Sequence, residues 1–369
     1  MYLQKLSLIN FKNFHEVEIE FSEKINCFVG NNGMGKTNLL DAIYYLSFCK
    51  SYFNLMDSQN IKHNESFFVV QGTYVKDDNS ENVYCGLKLN QKKQFKLNKK
   101  EYSRLADHVG YFPLVIVSPD DSEIITGGSE IRRKFVDSII SQYDKVYLDN
   151  LINYNKLIFQ RNNLLKRFAE SKSYNKENLE IWDEQIVPLG NEIYKKRSEF
   201  VNDFKPVFEK HYKFISLNNE KVELEYNSQL KGNDFKVLLN ENIGKDRMLQ
   251  YTSTGIHKDD LIFMFDGFPV KKFGSQGQQK SFIIALKLAQ FDLLAEIKKF
   301  KPVILFDDVF DKLDHLRVEQ IIKLVSDNNF GQIFITDTEI QRIQNVFEKV
   351  KSEHKIFNVD NGAIAMSNI

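Results

Sequence analysis

Gly30-Asn31-Asn32-Gly33-Met34-Gly35-Lys36-Thr37 is the stretch on which the reading of this chain turns. It satisfies the pattern G-x-x-x-x-G-K-[ST] of a phosphate-binding loop. Glycines let backbone N–H groups turn inward around phosphate oxygens, and the helix that follows points its positive end at them. Lys36 supplies a point charge for the β- and γ-phosphates, and Thr37 offers a hydroxyl to Mg²⁺. A glycine turn could match by chance, but the flanks argue otherwise. His15 to Phe21 alternates polar and apolar residues, as a half-buried strand does, and Ile25 to Val29 is a short apolar run of the central-strand kind. After the loop, Leu39, Leu40, Ile43, Tyr44 and Leu46 recur at helical spacing. The predicted order is strand, glycine loop, helix.

Working outward, the apolar run Val303 to Phe306 ends in Asp307-Asp308. A carboxylate there can hold Mg²⁺, and a second can position or deprotonate water. Alone, the pair reads equally well as a solvated acidic turn; a phosphate loop upstream tips the balance. Ser275-Gln276-Gly277-Gln278 precedes a long helical stretch from Gln278 to about Lys299. A serine and a glycine at a helix start form a second anion-binding end, or a simple N-cap. One chain has no need of two sites for the same phosphates. Two chains do, because the second site can close over the partner's nucleotide.

The rest of the chain supplies the setting. From about Phe67 to Leu97 the pattern is short and strand-like, and Leu114 to Val117 is another apolar run, stopped by Ser118-Pro119. Residues from about 129 to 212 are long, charged and helical in period, as in a separate lobe, and strands are expected again over Phe214–Tyr226 and at Gln332–Ile335. The chain has 369 residues, 50 Lys+Arg against 50 Asp+Glu, and zero formal net charge, which excludes a chain-wide polybasic binder but allows a local basic face. Cys27, Cys49 and Cys85 form no CxxC and no disulfide framework, which fits a reducing cytosol. No apolar run of transmembrane length is present, and the N-terminus does not read as a signal peptide.

The order phosphate loop, long insertion, SxGQ, then an apolar strand ending in two acids resembles the ABC-type ATPases. From Lys36 to Ser275 is 239 residues, longer than a transporter nucleotide domain usually allows. Leu8-Ile9-Asn10-Phe11-Lys12-Asn13-Phe14, Val117-Ser118-Pro119-Asp120-Asp121, Arg132-Arg133-Lys134-Phe135-Val136-Asp137 and Thr254-Gly255-Ile256-His257-Lys258-Asp259-Asp260-Leu261 narrow the match. Together with Gly274–Lys280 they resemble the RecF family across the whole chain. The resemblance implies an α/β fold: an ABC-type P-loop ATPase head with a mixed sheet and helices, plus an inserted, mainly helical lobe and no long coiled coil. The expected boundaries are 1–120 for the N-terminal part of the ATPase lobe, 121–212 for the helical lobe and 213–369 for the C-terminal part. It implies an ATP-dependent homodimer that binds double-stranded DNA and single-strand gap junctions, is cytoplasmic, and works with RecO and RecR to load RecA in recombinational repair and the SOS response. It implies a weak DNA-dependent ATPase used as a switch.

Carried onto this chain, Gly30, Asn31, Asn32, Gly33, Met34, Gly35, Lys36 and Thr37 bind ATP; Thr37 and Asp307 serve Mg²⁺; Lys36 and Asp308 are catalytic. Ser275, Gly277 and Gln278 reach the partner's γ-phosphate, and Asp311-Lys312-Leu313-Asp314 resembles the loop after the acidic pair. Three departures stand out. Val117-Ser118-Pro119-Asp120 occupies the place of a Mg²⁺-contacting glutamine, Ile335-Thr336-Asp337-Thr338 that of a switch histidine, and Asp308 that of a glutamate one methylene longer. They favour a slow, timed clamp over a fast motor. Lys88, Lys92, Lys93, Lys96, Lys99 and Lys100, with Arg132 and Arg133, are candidate DNA-phosphate contacts, although a charge run is commonly a solvated face. Two other readings remain: the ATPase subunit of a membrane transporter, which shares the motifs but not the large insertion, and a structural DNA-binding protein with an inactive nucleotide fold.

Overall fold

A computed structural model gives the fold and describes residues 1–217, 220–309, 320, 330–341 and 353–367. The chain divides into two compact units: unit 1 comprises Met1–Asp121, Phe214–Leu217 and Gln276–Ile369, and unit 2 comprises Ser122–Lys213 and Asn218–Ser275.

Unit 1 opens with β1 (Tyr2–Phe11), β2 (Phe14–Glu20), β3 (Ile25–Val29) and α1 (Lys36–Phe48), continues through β4 (Phe67–Lys76), β5 (Asn79–Lys88), β6 (Gln94–Leu97) and β7 (Lys100–Glu101), and reaches β8 (Leu114–Val117). Unit 2 holds α2 (Ser122–Thr126), α3 (Ser129–Ile140), α4 (Lys145–Ser171), α5 (Lys176–Ile215), β9 (Val222–Asn227), α6 (Phe235–Glu241), α7 (Ile243–Leu249), β10 (Asp260–Phe265), β11 (Phe268–Pro269) and α8 (Val270–Phe273). The chain re-enters unit 1 with α9 (Gln276–Lys298), then β12 (Val303–Phe306), β13 (Ile333–Asp337), β14 (His354–Asp360) and β15 (Ala363–Met366).

Two six-stranded sheets build unit 1. One, β2-β1-β4-β5-β6-β7, is antiparallel throughout. The other runs β15-β14-β3-β13-β12-β8; its four pairings from β14 to β8 are parallel and only β15 is antiparallel. Parallel strands are buried on both faces, which is why β8 and β12 are continuous apolar runs and every residue of β3, β8, β12 and β13 is buried. Phe21, Phe28, Phe334 and Phe357 meet edge-on or stacked, at centroid distances such as 4.9 Å for Phe21–Phe334 and 5.7 Å for Phe28–Phe357. Each fully buried ring contributes about 2–3 kcal/mol through apolar burial. Parallel pairing also decides where function goes, because β3, β8, β12 and β13 all deliver their C-terminal loops to one sheet edge.

The sequence boundaries differ from this division in one respect. Residues 218–275 cluster with the helical lobe and not with the ATPase lobe. The reason lies in pairing: β10 is antiparallel to β9 and β11, and α3 fastens β10 through Arg132 to Asp260. Phe214–Tyr226 is not one strand region; Phe214 and Ile215 finish α5, and among the described residues of this stretch the strand is Val222–Asn227. Strands β14 and β15 were not anticipated.

Candidate functional site

The site is built on the loop between β3 and α1. Gly30, Gly33 and Gly35 all have positive φ, at 155°, 82° and 115°. Two of them also face a hard steric limit. A Cβ on Gly30 would lie 2.3 Å from the Val359 carbonyl oxygen, and one on Gly35 would lie 2.4 Å from Asn13 Nδ2. Any side chain there would displace backbone or the Asn13 amide, so the glycines are required by space as well as by backbone geometry. Asn13 braces the loop: its Nδ2 donates to the Met34 carbonyl at 2.9 Å, and its Oδ1 accepts from Asn38 Nδ2 at 2.8 Å. The motif Asn10-Phe11-Lys12-Asn13-Phe14 gave no specific role for Asn13 in the sequence; its place in the β1–β2 turn does.

Lys36 opens α1 and is only 5% exposed. Its ammonium donates to the carbonyls of Gly30, at 2.7 Å, and Asn31, at 3.0 Å, which holds it inside the curl of the loop. Thr37 Oγ1 lies 3.0 Å from both Asp307 carboxylate oxygens, across 270 residues of chain. Strand register produces this meeting. Phe306 pairs with Ile335 and with Val117, so Asp307 emerges beside Thr336 at the same edge as the glycine loop. Thr336 Oγ1 donates to Asp307 Oδ1 at 2.8 Å and accepts the Asp308 N–H at 2.9 Å. Thr336 is therefore the brace of the acidic pair, in the segment that takes the place of a switch histidine.

Burial drives the Asp307 pKa up to about 6, and the neighbouring Asp308 adds to the rise; the Thr336 and Thr37 hydroxyls and the Lys36 charge oppose it. Asp308 is half-buried with φ 46°, a left-handed conformation that costs a non-glycine residue about 1 kcal/mol. Lys280 of α9 donates to the Asp308 carbonyl at 3.3 Å, so that helix touches the acidic pair. Gly277 and Gln278 lie in the first turn of α9 and Ser275 is exposed just before it. Asp311-Lys312-Leu313-Asp314 lies outside the described residues.

Beside Thr37 opens a cleft of about 760 Å³, walled by Lys12, Asn38, Phe53, Asn54, Lys62 and His63 among others. Thr37 and Asp307 together offer a hydroxyl and a carboxylate, the sparse oxygen set of a Mg²⁺ completed by substrate phosphates. No group of three or more His, Cys, Asp or Glu that could cage a metal occurs among the described residues.

Several candidate DNA contacts are engaged within their own units. Lys93 Nζ is held by Asp57 at 2.6 Å, the Cys49 carbonyl at 2.6 Å and Tyr45 at 3.1 Å. Arg132 forms a two-pronged pair with Asp260, at 2.6 and 3.0 Å, and Arg133 donates to the Asp259 carbonyl at 2.5 Å. Lys96 lies over the Tyr84 ring at 5.5 Å. Lys88, Lys92, Lys99 and Lys100 are exposed. His257 bonds the Tyr154 hydroxyl and the Thr252 carbonyl, both at 2.9 Å, and burial lowers its pKa to about 4, so it is a neutral structural group of unit 2.

Comparison with known proteins follows this geometry. Residues 2–365 match the family model described as the RecF/RecN/SMC N terminal domain. The DNA replication and repair protein RecF of Phocaeicola vulgatus is 52% identical over 99% of this chain and 98% of its own. The chain belongs to the RecF family. The solved ATP complex of the recombination mediator RecF of the RecFOR pathway, another member, is 32% identical, superimposes with a TM-score of 0.89 and covers 99% of this chain and 97% of that one. The Smc head domain of Pyrococcus furiosus, at 18% identity and a TM-score of 0.58 over 99% of this chain and 96% of that one, shares the fold. An ABC/SMC-type head with an inserted lobe is thus the architecture of this RecF-family chain. Among the described residues no helix is long and apolar enough to cross a membrane.

Proposed function

We propose that this chain is an ATP-dependent clamp of DNA replication and repair. It binds ATP and Mg²⁺ in the loop of residues 30–37, dimerises with nucleotide between two copies, and grips double-stranded DNA and single-strand gap junctions in the cytoplasm. With RecO and RecR it helps to load RecA. The observation that carries the nucleotide part is the convergence of Thr37, Lys36 and Asp307 at the N-terminus of α1. DNA binding is supported by family membership and by the exposed Lys88, Lys92, Lys99 and Lys100. A transporter subunit fits less well, because the curated relatives that match over the full chain carry the RecF name.

In this reading the α1 N-terminus and the inward N–H groups of the loop receive the phosphates, and the Lys36 ammonium turns from the Gly30 and Asn31 carbonyls to the phosphate oxygens. The sugar and base occupy the cleft beside Thr37. Thr37 and Asp307 hold Mg²⁺, which when bound neutralises developing phosphate charge. Asp308 orients the attacking water, its backbone locked by Thr336. Gly277, Gln278 and Ser275 close over the nucleotide of a second copy. The short Asp308 side chain and the absence of a switch histidine make turnover slow, so the nucleotide acts as a timer.

Lys36→Met tests the site. Calorimetry should show ATP affinity falling about 10–100-fold, the loss of charge-assisted hydrogen bonds of about 1.5–3 kcal/mol, with melting little changed. Equal affinity in the variant would place the nucleotide elsewhere.

A further inference from the structure

Within unit 1 a chain of buried polar contacts leads from the nucleotide cleft to α9, and neither the loop nor the acidic pair uses it. It begins at Lys12, a cleft-wall residue whose ammonium lies 2.6 Å from Asp41 Oδ2. Asp41, in α1 and fully buried, also accepts from Ser51 Oγ at 2.6 Å and from the Tyr52 backbone N–H at 2.7 Å. Tyr52 therefore has its backbone tied to the residue that holds Lys12, and the next two residues, Phe53 and Asn54, wall the cleft. Its hydroxyl donates to Asp121 Oδ1 at 2.6 Å. That same oxygen receives the Lys287 ammonium at 2.6 Å, and Asp121 Oδ2 accepts the Ser118 N–H at 2.8 Å.

The placement of these groups is unusual. Lys287 sits in α9 between Leu286 and Leu288, in a run from Ser281 to Phe291 in which every residue is buried. A buried ion pair seldom stabilises a fold more than apolar residues of the same size would, so stability alone does not account for a lysine there. Asp121 is the last residue of unit 1 before the chain leaves for unit 2, and α9 begins where the chain returns. Their pair thus fastens the outgoing and incoming segments of unit 1 to each other and to Tyr52. On the nucleotide reading above, phosphate oxygens entering the cleft would compete with Asp41 for Lys12, and a base or sugar would press on Phe53 and Asn54. Either event would act on Tyr52, which shares an acceptor atom with Lys287.

We propose that Asp121 is a positioning residue that relays occupancy of the nucleotide cleft, through Tyr52 and Lys287, to the placement of α9 and of Gly277 and Gln278 at its start. The relay rests on the nucleotide reading above. It acts on the closure of a second copy over the nucleotide and leaves the binding of nucleotide by one chain alone.

The test is a double-mutant cycle with Tyr52→Phe, Lys287→Met and the two combined, alongside Lys287→Arg. ADP affinity is measured by calorimetry and ATP-driven dimerisation by sedimentation velocity. The relay predicts ADP affinity within about twofold of the parent in every variant. Dimerisation weakens about tenfold in each single variant, no further in the double, and recovers in Lys287→Arg, because one pathway is cut twice. Additive losses, or dimerisation untouched by Lys287→Met in a folded protein, would overturn the relay. Should Lys287→Met not fold, Tyr52→Phe against Asp121→Asn supplies the same cycle, with additivity again counting against the proposal. Failure of the parent to bind ADP would overturn the nucleotide reading itself, and the relay with it.

Discussion

Asp307→Asn separates what the site does for function from what it does for the fold. In the folded chain Asp307 titrates at about 6, against 3.8 for an unperturbed aspartate. Protonation therefore favours the folded state. This contribution is fully present below about pH 4 and is lost as pH rises through about 6. A shift of about two units corresponds to about 3 kcal/mol of stability withdrawn from the nucleotide-free protein at neutral pH. The asparagine variant carries no charge to desolvate. Its amide oxygen can accept from Thr336, and its amide nitrogen can donate to the Thr37 hydroxyl across the same 3.0 Å. For a cooperative unit of roughly 200 residues, each kcal/mol moves Tm by about 2–4 °C, so the variant should melt about 6 °C or more above the parent at pH 8 and with it at pH 4. Differential scanning calorimetry without nucleotide or magnesium, run from pH 4 to 8, makes the comparison. Added ATP and Mg²⁺ should raise the Tm of the parent far more than that of the variant, which on the proposed reading has lost a metal ligand. A parent Tm that does not fall across pH 4–6, or an asparagine variant less stable than the parent at pH 8, would refute the argument that Asp307 is a strained, desolvated carboxylate.

Two further outcomes follow from particular contacts. Asp308→Asn should keep ATP affinity and slow single-turnover hydrolysis at least tenfold, since it removes the proposed base and leaves a side chain of the same shape; undiminished turnover would remove Asp308 from that role. The lysine run should split in two. Lys92, Lys99 and Lys100 changed together to Gln should flatten the salt dependence of duplex binding and leave melting unchanged, whereas Lys93→Gln should cost about 2 kcal/mol by breaking its bonds to Asp57 and Cys49, read in a denaturant titration.

Much of the head was legible from local pattern. The strand–loop–helix order around residues 30–37 and the apolar runs at 114–117 and 303–306 appear as expected, because buried parallel strands need continuous apolar sequence. The acidic pair was legible for the same reason. What could not be seen was any relation fixed by strand register. Thr336 braces Asp307 because β12 and β13 pair in register, and nothing local in Ile335-Thr336-Asp337 announces it. Asn13 is similar: an exposed-looking asparagine in a turn becomes essential only when Gly35 and Met34 fold against it. The charge patterns misled in the other direction. Lys93 and Arg132 read as surface cations, yet each reaches a carboxylate distant in sequence, and one-dimensional spacing carries no trace of such a partner. The boundary at residue 213 missed the return of β9 and β10 to the helical unit, because a three-stranded sheet within a mainly helical lobe breaks the compositional contrast used to draw it.

The central claim is that ATP closes two copies over a shared nucleotide, with Ser275, Gly277 and Gln278 of one meeting residues 30–37 of the other. Sedimentation velocity of the parent and of Ser275→Arg, each without nucleotide, with ADP and with ATP plus Mg²⁺, tests it most directly. The parent should be mainly monomeric without nucleotide or with ADP and dimeric with ATP, while Ser275→Arg binds ATP normally and stays monomeric. A dimer equally strong with ADP, or one that survives Ser275→Arg, would contradict the account.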